Sequence, residues 1–265
     1  MVWTYLFTLP AVVSFFWPLM IIFCKRQVFT AQWIMVATQI LTGFTIFFYM
    51  GEIAARYIYN CIFVTFASLC VPMYYMFVCS LTSREGISRK HRWSFIPSFL
   101  FLIIYYILIL ALGPERYQMY MDSVVAEGNT DLLPSKAYSL MVFVGYYGFP
   151  VFMMLLSLIL FSIGLVRIHR YHSMLAYVAG DNISKVRRLD RPMVIFTYTA
   201  ILIALVFVIV PQHILSASPF IVIPLSIIAS LIQFILGFYA FRLSGSAEHL
   251  RLNQPHTVAE NKEIQ

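Results

Sequence analysis

Seven apolar runs, at roughly 3–23, 30–50, 58–81, 93–112, 137–166, 193–210 and 218–241, occupy nearly the whole chain and leave it few ways to fold. Runs of about 18–25 residues are long enough to cross a ~30 Å hydrocarbon core as helices. Only 11% of the 265 residues are charged, against roughly 25% in a soluble domain, so the chain lacks the polar surface to keep such runs in water. Strand-type alternation is missing, which argues against a transmembrane β-barrel. The expected fold is all-α: a polytopic seven-transmembrane-helix bundle over residues 1–243, then a polar, disordered tail over 244–265.

Charge gives the bundle an orientation. Lys25 and Arg26 follow the first run, and no basic residue precedes it, the reverse of a cleavable signal peptide. Arg84, Arg89, Lys90 and Arg92 follow the third run. Arg167, Arg170, Lys185, Arg187, Arg188 and Arg191 follow the fifth, and Arg242, Arg251 and Lys262 follow the seventh. The intervening loops hold only Arg56, Arg116 and Lys136. Basic loops stay in the cytoplasm, so the topology is read as N-out, C-in in the inner membrane, with the net charge of +7 a mark of topology rather than of nucleic-acid affinity.

The spans hold little that could do chemistry. Glu52 and Arg56, spaced i, i+4, are assigned to the outer end of the second span, where they can pair on one helix face. That pair is either a structural ion pair or the polar floor of an outward-facing ligand pocket, and His213 beside Pro211 poses the same choice. No lysine in the seventh run can form a retinal Schiff base, and no span pairs two histidines with carboxylates to hold zinc. No G-x-S-x-G element is present, and buried carboxylates for ion-coupled transport are lacking. The chain is therefore read as non-enzymatic, with no catalytic residue, metal or cofactor. Cys24, Cys61, Cys70 and Cys79 are read as small buried hydrophobes. Thr42, Gly43, Thr45, Gly145, Gly148, Thr197, Thr199 and Gln233 are read as close-packing and interhelical hydrogen-bond sites.

Two lengths stand out. The fifth run continues without a breaker into RIHRYHSMLAYV, so a helix from Ala137 to about Tyr171, roughly 50 Å long, should project into the cytoplasm as a stalk. Tyr146, Tyr147, Gly148 and Pro150 point to a kink in its outer half. The outer loop 113–136 is long for a bundle connection, and its PERYQMYMDSVV segment suits a short amphipathic helix on the membrane surface. His169 and His172 lie at i, i+3 between basic residues and read as a basic helix face. In DNISKVRRLDR, Asp181 or Asn182 can cap a short helix bearing Lys185, Arg187 and Arg188.

The third and fourth runs then become recognisable. The stretch ASLCVPMYYMFVCSLTSREGISRKHRWSFIPSFLFLIIYY resembles the membrane-spanning N-terminal half of AraC-type helix-turn-helix regulators of Bacteroidota. The matching positions are Pro72, Tyr74, Tyr75, Ser80, Leu81 and Thr82, then Trp93, Phe95, Ile96 and Pro97. The segment IHRYHSMLAYVAGDNISKVRRL is similar to the family's cytoplasmic hairpin at Tyr171, His172, Ser184, Arg187, Arg188 and Leu189. The resemblance covers about residues 1–243. In that family the seventh span leads to a DNA-binding domain of about 100 residues, and the 23 residues after Arg242 are too few for one. No direct nucleic-acid binding is expected.

The resemblance implies a sensor-like signal-transduction module linked to transcriptional regulation. Ligand or envelope sensing would use Glu52, Arg56, Arg116 in the 113–136 loop, and His213 on the outer face. Output would pass through Arg167, Arg170, His172, Lys185, Arg187 and Arg188 to a cytoplasmic protein partner. A small-solute transporter or channel and a structural membrane partner are the alternatives. The bilayer is the one partner fixed by composition, and the oligomeric state is left open, a homodimer included.

Overall fold

Backbone N–H and C=O groups inside a bilayer have no water to bond, so each apolar run closes its own hydrogen bonds as a helix. The computed structural model describes residues 8–25, 28–49, 56–83, 87–130, 135–179 and 219–242, and every regular element among them is helical. In chain order these are α1 (Thr8–Cys24), α2 (Thr30–Tyr49), α3 (Arg56–Thr82) and α4 (Arg89–Arg92). A 3-10 turn, Trp93–Phe95, carries α4 into α5 (Ile96–Leu112). Next, α6 (Pro114–Met119) ends in a π-helical turn, Tyr120–Ala126. Then α7 (Lys136–Met141) passes through a second π segment, Val142–Gly148, into α8 (Phe149–Ala179), and α9 (Pro219–Arg242) follows.

Among the described residues, five helical stretches are long and apolar enough to cross a membrane: Thr30–Phe48, Asn60–Thr82, Arg89–Leu112, Lys136–Tyr171 and Ile223–Arg242. With α1, a 17-residue apolar helix, they match six of the seven expected runs to within a few residues, the first run from residue 8 onward. The sixth run, 193–210, and the tail, 244–265, lie outside the described residues, as does the proposed capped helix over 181–191. The helix expected to reach Tyr171 continues to Ala179. Outward surfaces are apolar: on α5, Phe99, Leu100, Ile103, Ile107 and Leu110 are all exposed. A water-soluble domain rarely exposes so continuous an apolar face, whereas hydrocarbon accepts it.

Side-chain pairs fix the helix directions. Cys70 meets Thr42, and Phe66 stacks on Phe48 and Phe44, so α2 and α3 are antiparallel. Asn60 meets Tyr105 while Ser68 meets Ser98, so α3 and α5 are antiparallel. Phe63 meets Phe149, Tyr74 meets Phe161 and Ser83 meets Arg167, so α8 runs parallel to α3. On α2, the Nε2 of Gln32 donates to the Ala240 carbonyl (2.9 Å) and that of Gln39 to the Gln233 carbonyl (3.2 Å). These two rungs make α2 and α9 antiparallel, and Lys25 accordingly sits over Phe241. One end of the bundle therefore gathers Lys25, Arg89, Lys90, Arg92, Arg167, Arg170 and Arg242. Ala179 belongs to that basic end, and Pro219 to the opposite one.

Two apolar clusters share α3 and α8. One joins α1, α2, α3, α8 and α9 around Ile21, Met35, Phe77 and Leu236, and the other joins α3, α5, the α6 and α7 segments and α8 around Tyr105, Tyr120, Val124 and Met141. Polar groups tie the helices together within these clusters. Pro72 in α3 has no N–H for the Ser68 carbonyl one turn back. The Ser98 hydroxyl of α5 takes that carbonyl at 2.7 Å, with both serines fully buried. Trp17 of α1 stands edge-on to Phe234 and Phe238 of α9 and lies directly against Gly237, leaving no room there for a side chain. Cys79 is buried and Cys61 and Cys70 are half-buried, but Cys24 is exposed at the end of α1, against the expectation of burial.

Candidate functional site

A cluster of buried hydroxyls lies at the end opposite the basic one, and a chain reversal builds it. Gly113 ends α5 at φ 75°, a left-handed conformation that a side chain resists. Pro114 then opens α6, where its missing N–H is not needed. Along α6 and its π turn, Tyr117, Tyr120, Met121 and Val124 recur at i, i+3, i+4 and i+7 and are all buried. The segment is amphipathic as its sequence predicts. Its apolar face, however, is covered by α3, α5 and α7 and not by membrane surface: Asn60 of α3 and Tyr105 of α5 supply hydrogen bonds, and Tyr138 of α7 supplies ring area.

Asn60 of α3 organises the hydroxyls. Its Nδ2 donates to Tyr105 Oη at 2.9 Å and to Tyr117 Oη at 3.1 Å, and the two phenols lie 3.1 Å apart. The Cys61 thiol lies 3.6 Å from Tyr117 Oη. Tyr117 stacks on Tyr120, and Tyr138 of α7 stands edge-on to Tyr120. The Tyr138 hydroxyl is buried with no hydrogen-bond partner. Gly145, in the second π segment, is close-packed as expected: a Cβ there would fall 2.7 Å from Tyr120 Oη. Nearby, Thr65 and Tyr106 hydroxyls meet at 2.6 Å. Ser135 caps α7 by accepting the Tyr138 N–H, which anchors the start of the long helix beside the cluster.

Burial pushes the Tyr117 and Tyr120 phenols above their ordinary range, the Cys61 thiol adding to it at Tyr117 and the neighbouring phenols at Tyr120. They stay neutral at physiological pH. Such a set can donate and accept hydrogen bonds to a neutral polar group, and Tyr138 has a spare donor.

The helical run from Lys136 to Ala179 links this cluster to the basic end. Its π segment occupies 142–148, where the sequence points to a kink, and it includes Tyr146, Tyr147 and Gly148. Far along it, the half-buried Arg167 lies over the Tyr75 ring, Cζ 5.9 Å from the centroid, and its Nη1 reaches Ser83 Oγ at 3.5 Å.

The residues singled out from sequence are dispersed. Arg116 is exposed on α6, on the side away from the tyrosines. Arg56 opens α3 and does not close the second span, because α2 ends at Tyr49. Its side chain, Glu52 and their expected pairing lie outside the described residues, as do His213, Lys185, Arg187 and Arg188 and the His172 side chain. Arg170 is exposed beside exposed His169. Sequence reasoning missed Asn60, Tyr105, Tyr117, Tyr120 and Tyr138. The available signal was an amide in an otherwise apolar run facing tyrosines at helical spacing. Of the small and polar span residues, Thr42 meets Cys70 at 2.8 Å as an interhelical contact, whereas the Thr45 hydroxyl donates to its own helix at Leu41. No family profile, curated protein or solved structure matches the chain.

Proposed function

We propose that this chain is a membrane-embedded, sensor-like signal-transduction module, a seven-helix bundle oriented N-out, C-in. The observation that carries the reading is the single helical run from Lys136 to Ala179. One end walls the tyrosine cluster through Tyr138 and Gly145, and the other carries Arg167 and Arg170 at the basic end. Its stretch Lys136–Tyr171 has 36 residues, about 54 Å at 1.5 Å per residue, and exceeds a ~30 Å core. The π segment beside the cluster is a place where register can shift by small steps. A ligand that prefers one register would bias the position of the cytoplasmic stalk.

Parity supports the seventh crossing. Ala179 and Pro219 stand at opposite ends of the bundle, which favours one further crossing in between, with the apolar run 193–210 as its candidate. The convergence of the basic residues supports a cytoplasmic assignment for their end, and with it an inner-membrane location. The likeness to the membrane half of AraC-type regulators of Bacteroidota supports an output toward transcription, delivered to a partner through Arg167, Arg170, His172 and the 181–191 segment.

A test uses the full chain in nanodiscs with its native cysteines replaced and a fluorophore on Arg170→Cys. Small neutral polar solutes are added, and emission is followed. The reading expects a saturable change that Asn60→Ala and Gly145→Val remove. Solute uptake into sealed vesicles at the same concentrations, with no change at position 170, would replace sensing with transport.

A further inference from the structure

We infer that Arg167, His91 and Ser83 at the basic end form a binding site for a phosphoryl anion, the group presented by an acidic phospholipid headgroup or by free phosphate. The inference stands without the sensor reading and requires only that this end meets a membrane–water boundary.

Tyr75 and Cys79 lie in the last two turns of α3 and Ser83 directly follows it, at four-residue spacing, and Arg167 of α8 reaches the Tyr75 ring and the Ser83 hydroxyl. A long cation at a helix end normally extends to water or headgroups. This one is half-buried, packed on the Tyr75 ring, and its Nη1 donates to the Ser83 hydroxyl at a long 3.5 Å. Ring and hydroxyl are both uncharged. A guanidinium carries five N–H donors in a planar fork suited to two oxygens of one phosphate or carboxylate.

His91 lies against the same Tyr75 ring, centroids 6.5 Å apart at 77°, and is buried. The Ser88 amide donates to its Nδ1 at 3.2 Å, which places the proton of a neutral ring on Nε2 as a second donor. Ser83 Oγ supplies a third. Around them Arg89, Lys90 and Arg92 are exposed on α4, and no acidic side chain among the described residues belongs to α3, α4 or α8. Arg167 and His91 thus flank one ring, and an anion held between them would accept from the guanidinium, from the imidazole Nε2–H and from the Ser83 hydroxyl. Glu85, two residues beyond Ser83 in sequence, lies outside the described residues.

The test takes the full chain from nanodiscs of phosphatidylcholine containing phosphatidylglycerol and counts retained lipid by native mass spectrometry. The expected result is one phosphatidylglycerol held through detergent exchange. Arg167→Gln should lower its retention about tenfold, equivalent to roughly 1.4 kcal/mol. His91→Gln and Ser83→Ala should each lower it less, and Arg116→Gln, at the other end, should leave it intact. Arg167→Lys keeps the charge, guards against misfolding, and should fall between Arg167 and Arg167→Gln. Displacement by millimolar inorganic phosphate would show a site for the free anion, and resistance a site for the headgroup; either outcome upholds it. Unchanged retention in Arg167→Gln overturns the proposal, as does an equal loss in Arg116→Gln. Retention that appears only in Glu85→Gln also overturns it, since the chain would then supply its own anion.

Discussion

Removing the Ser98 hydroxyl should destabilise the bundle only while Pro72 is present. Pro72 leaves the Ser68 carbonyl without its helical N–H, and Ser98 fills the gap at 2.7 Å from a neighbouring helix. Both serines are fully buried, so water cannot take over. A buried polar group left unsatisfied costs about 1–3 kcal/mol, while side-chain hydrogen bonds between membrane helices average ~0.6 and reach ~1.7. Ser98→Ala is therefore expected to lower stability by about 1–1.5 kcal/mol in the native background. In Pro72→Ala the new N–H satisfies Ser68 within α3, and the same Ser98→Ala change should then lower stability by no more than ~0.5 kcal/mol. Reversible unfolding of the four variants in bicelles, followed by helical circular dichroism, gives the coupling directly. Equal losses in the two backgrounds would mean that Ser98 acts through packing and that the proline gap is closed by something else.

Three further outcomes are specific. Gln32 uses both ends of its carboxamide, accepting from the Phe29 N–H and donating to Ala240, whereas the Gln39 carbonyl oxygen is buried without a partner. Gln32→Leu should accordingly lower stability by about 1–2 kcal/mol and Gln39→Leu by well under ~1 in the same unfolding assay. Gly237→Ala forces a methyl group into Trp17 and should cost about 1–3 kcal/mol, with a shift in tryptophan emission that Trp17→Leu removes. The buried Tyr117 and Tyr120 phenols keep their protons past the ordinary phenol pKa of about 10. The unfolded chain ionises there and the folded one does not, so the stability they lend is complete below about pH 10 and is lost as pH rises further. Absorbance at 295 nm should show these phenols ionising together with the loss of helical signal; ionisation of all 17 tyrosines near pH 10 with the helices intact would contradict their burial.

Helix positions were legible because periodicity and length decide them locally: the expected runs at 30–50 and 218–241 became Thr30–Tyr49 and Pro219–Arg242. Where Tyr146, Tyr147, Gly148 and Pro150 point to a kink, the fifth span carries a π segment that ends at Gly148, before the proline. The site was less legible, for a physical reason. Sequence reading gives most weight to charge, since a charge in hydrocarbon is expensive, and it singled out Arg116, which the fold leaves exposed. Uncharged amides and phenols carry no such alarm. Asn60 and Tyr117 are 57 residues apart, and only the turn after Gly113 brings them together. The destination of the 114–126 segment was equally hidden, because an amphipathic helix has the same pattern whether lipid or protein covers its apolar face.

The two glutamine rungs between α2 and α9 also set an order for biogenesis. The bond from Gln32 to Ala240 spans 208 residues, so most of the chain must be made before it can form. Until then the α1–α2 hairpin carries two amides whose Ala240 and Gln233 acceptors have not yet been synthesised. Nascent α1 and α2 therefore have a reason to linger beside the insertion machinery instead of partitioning fully into lipid. The arrival of α9 against both of them supplies those acceptors, so the pairing of the first two helices is completed only by the last helix described.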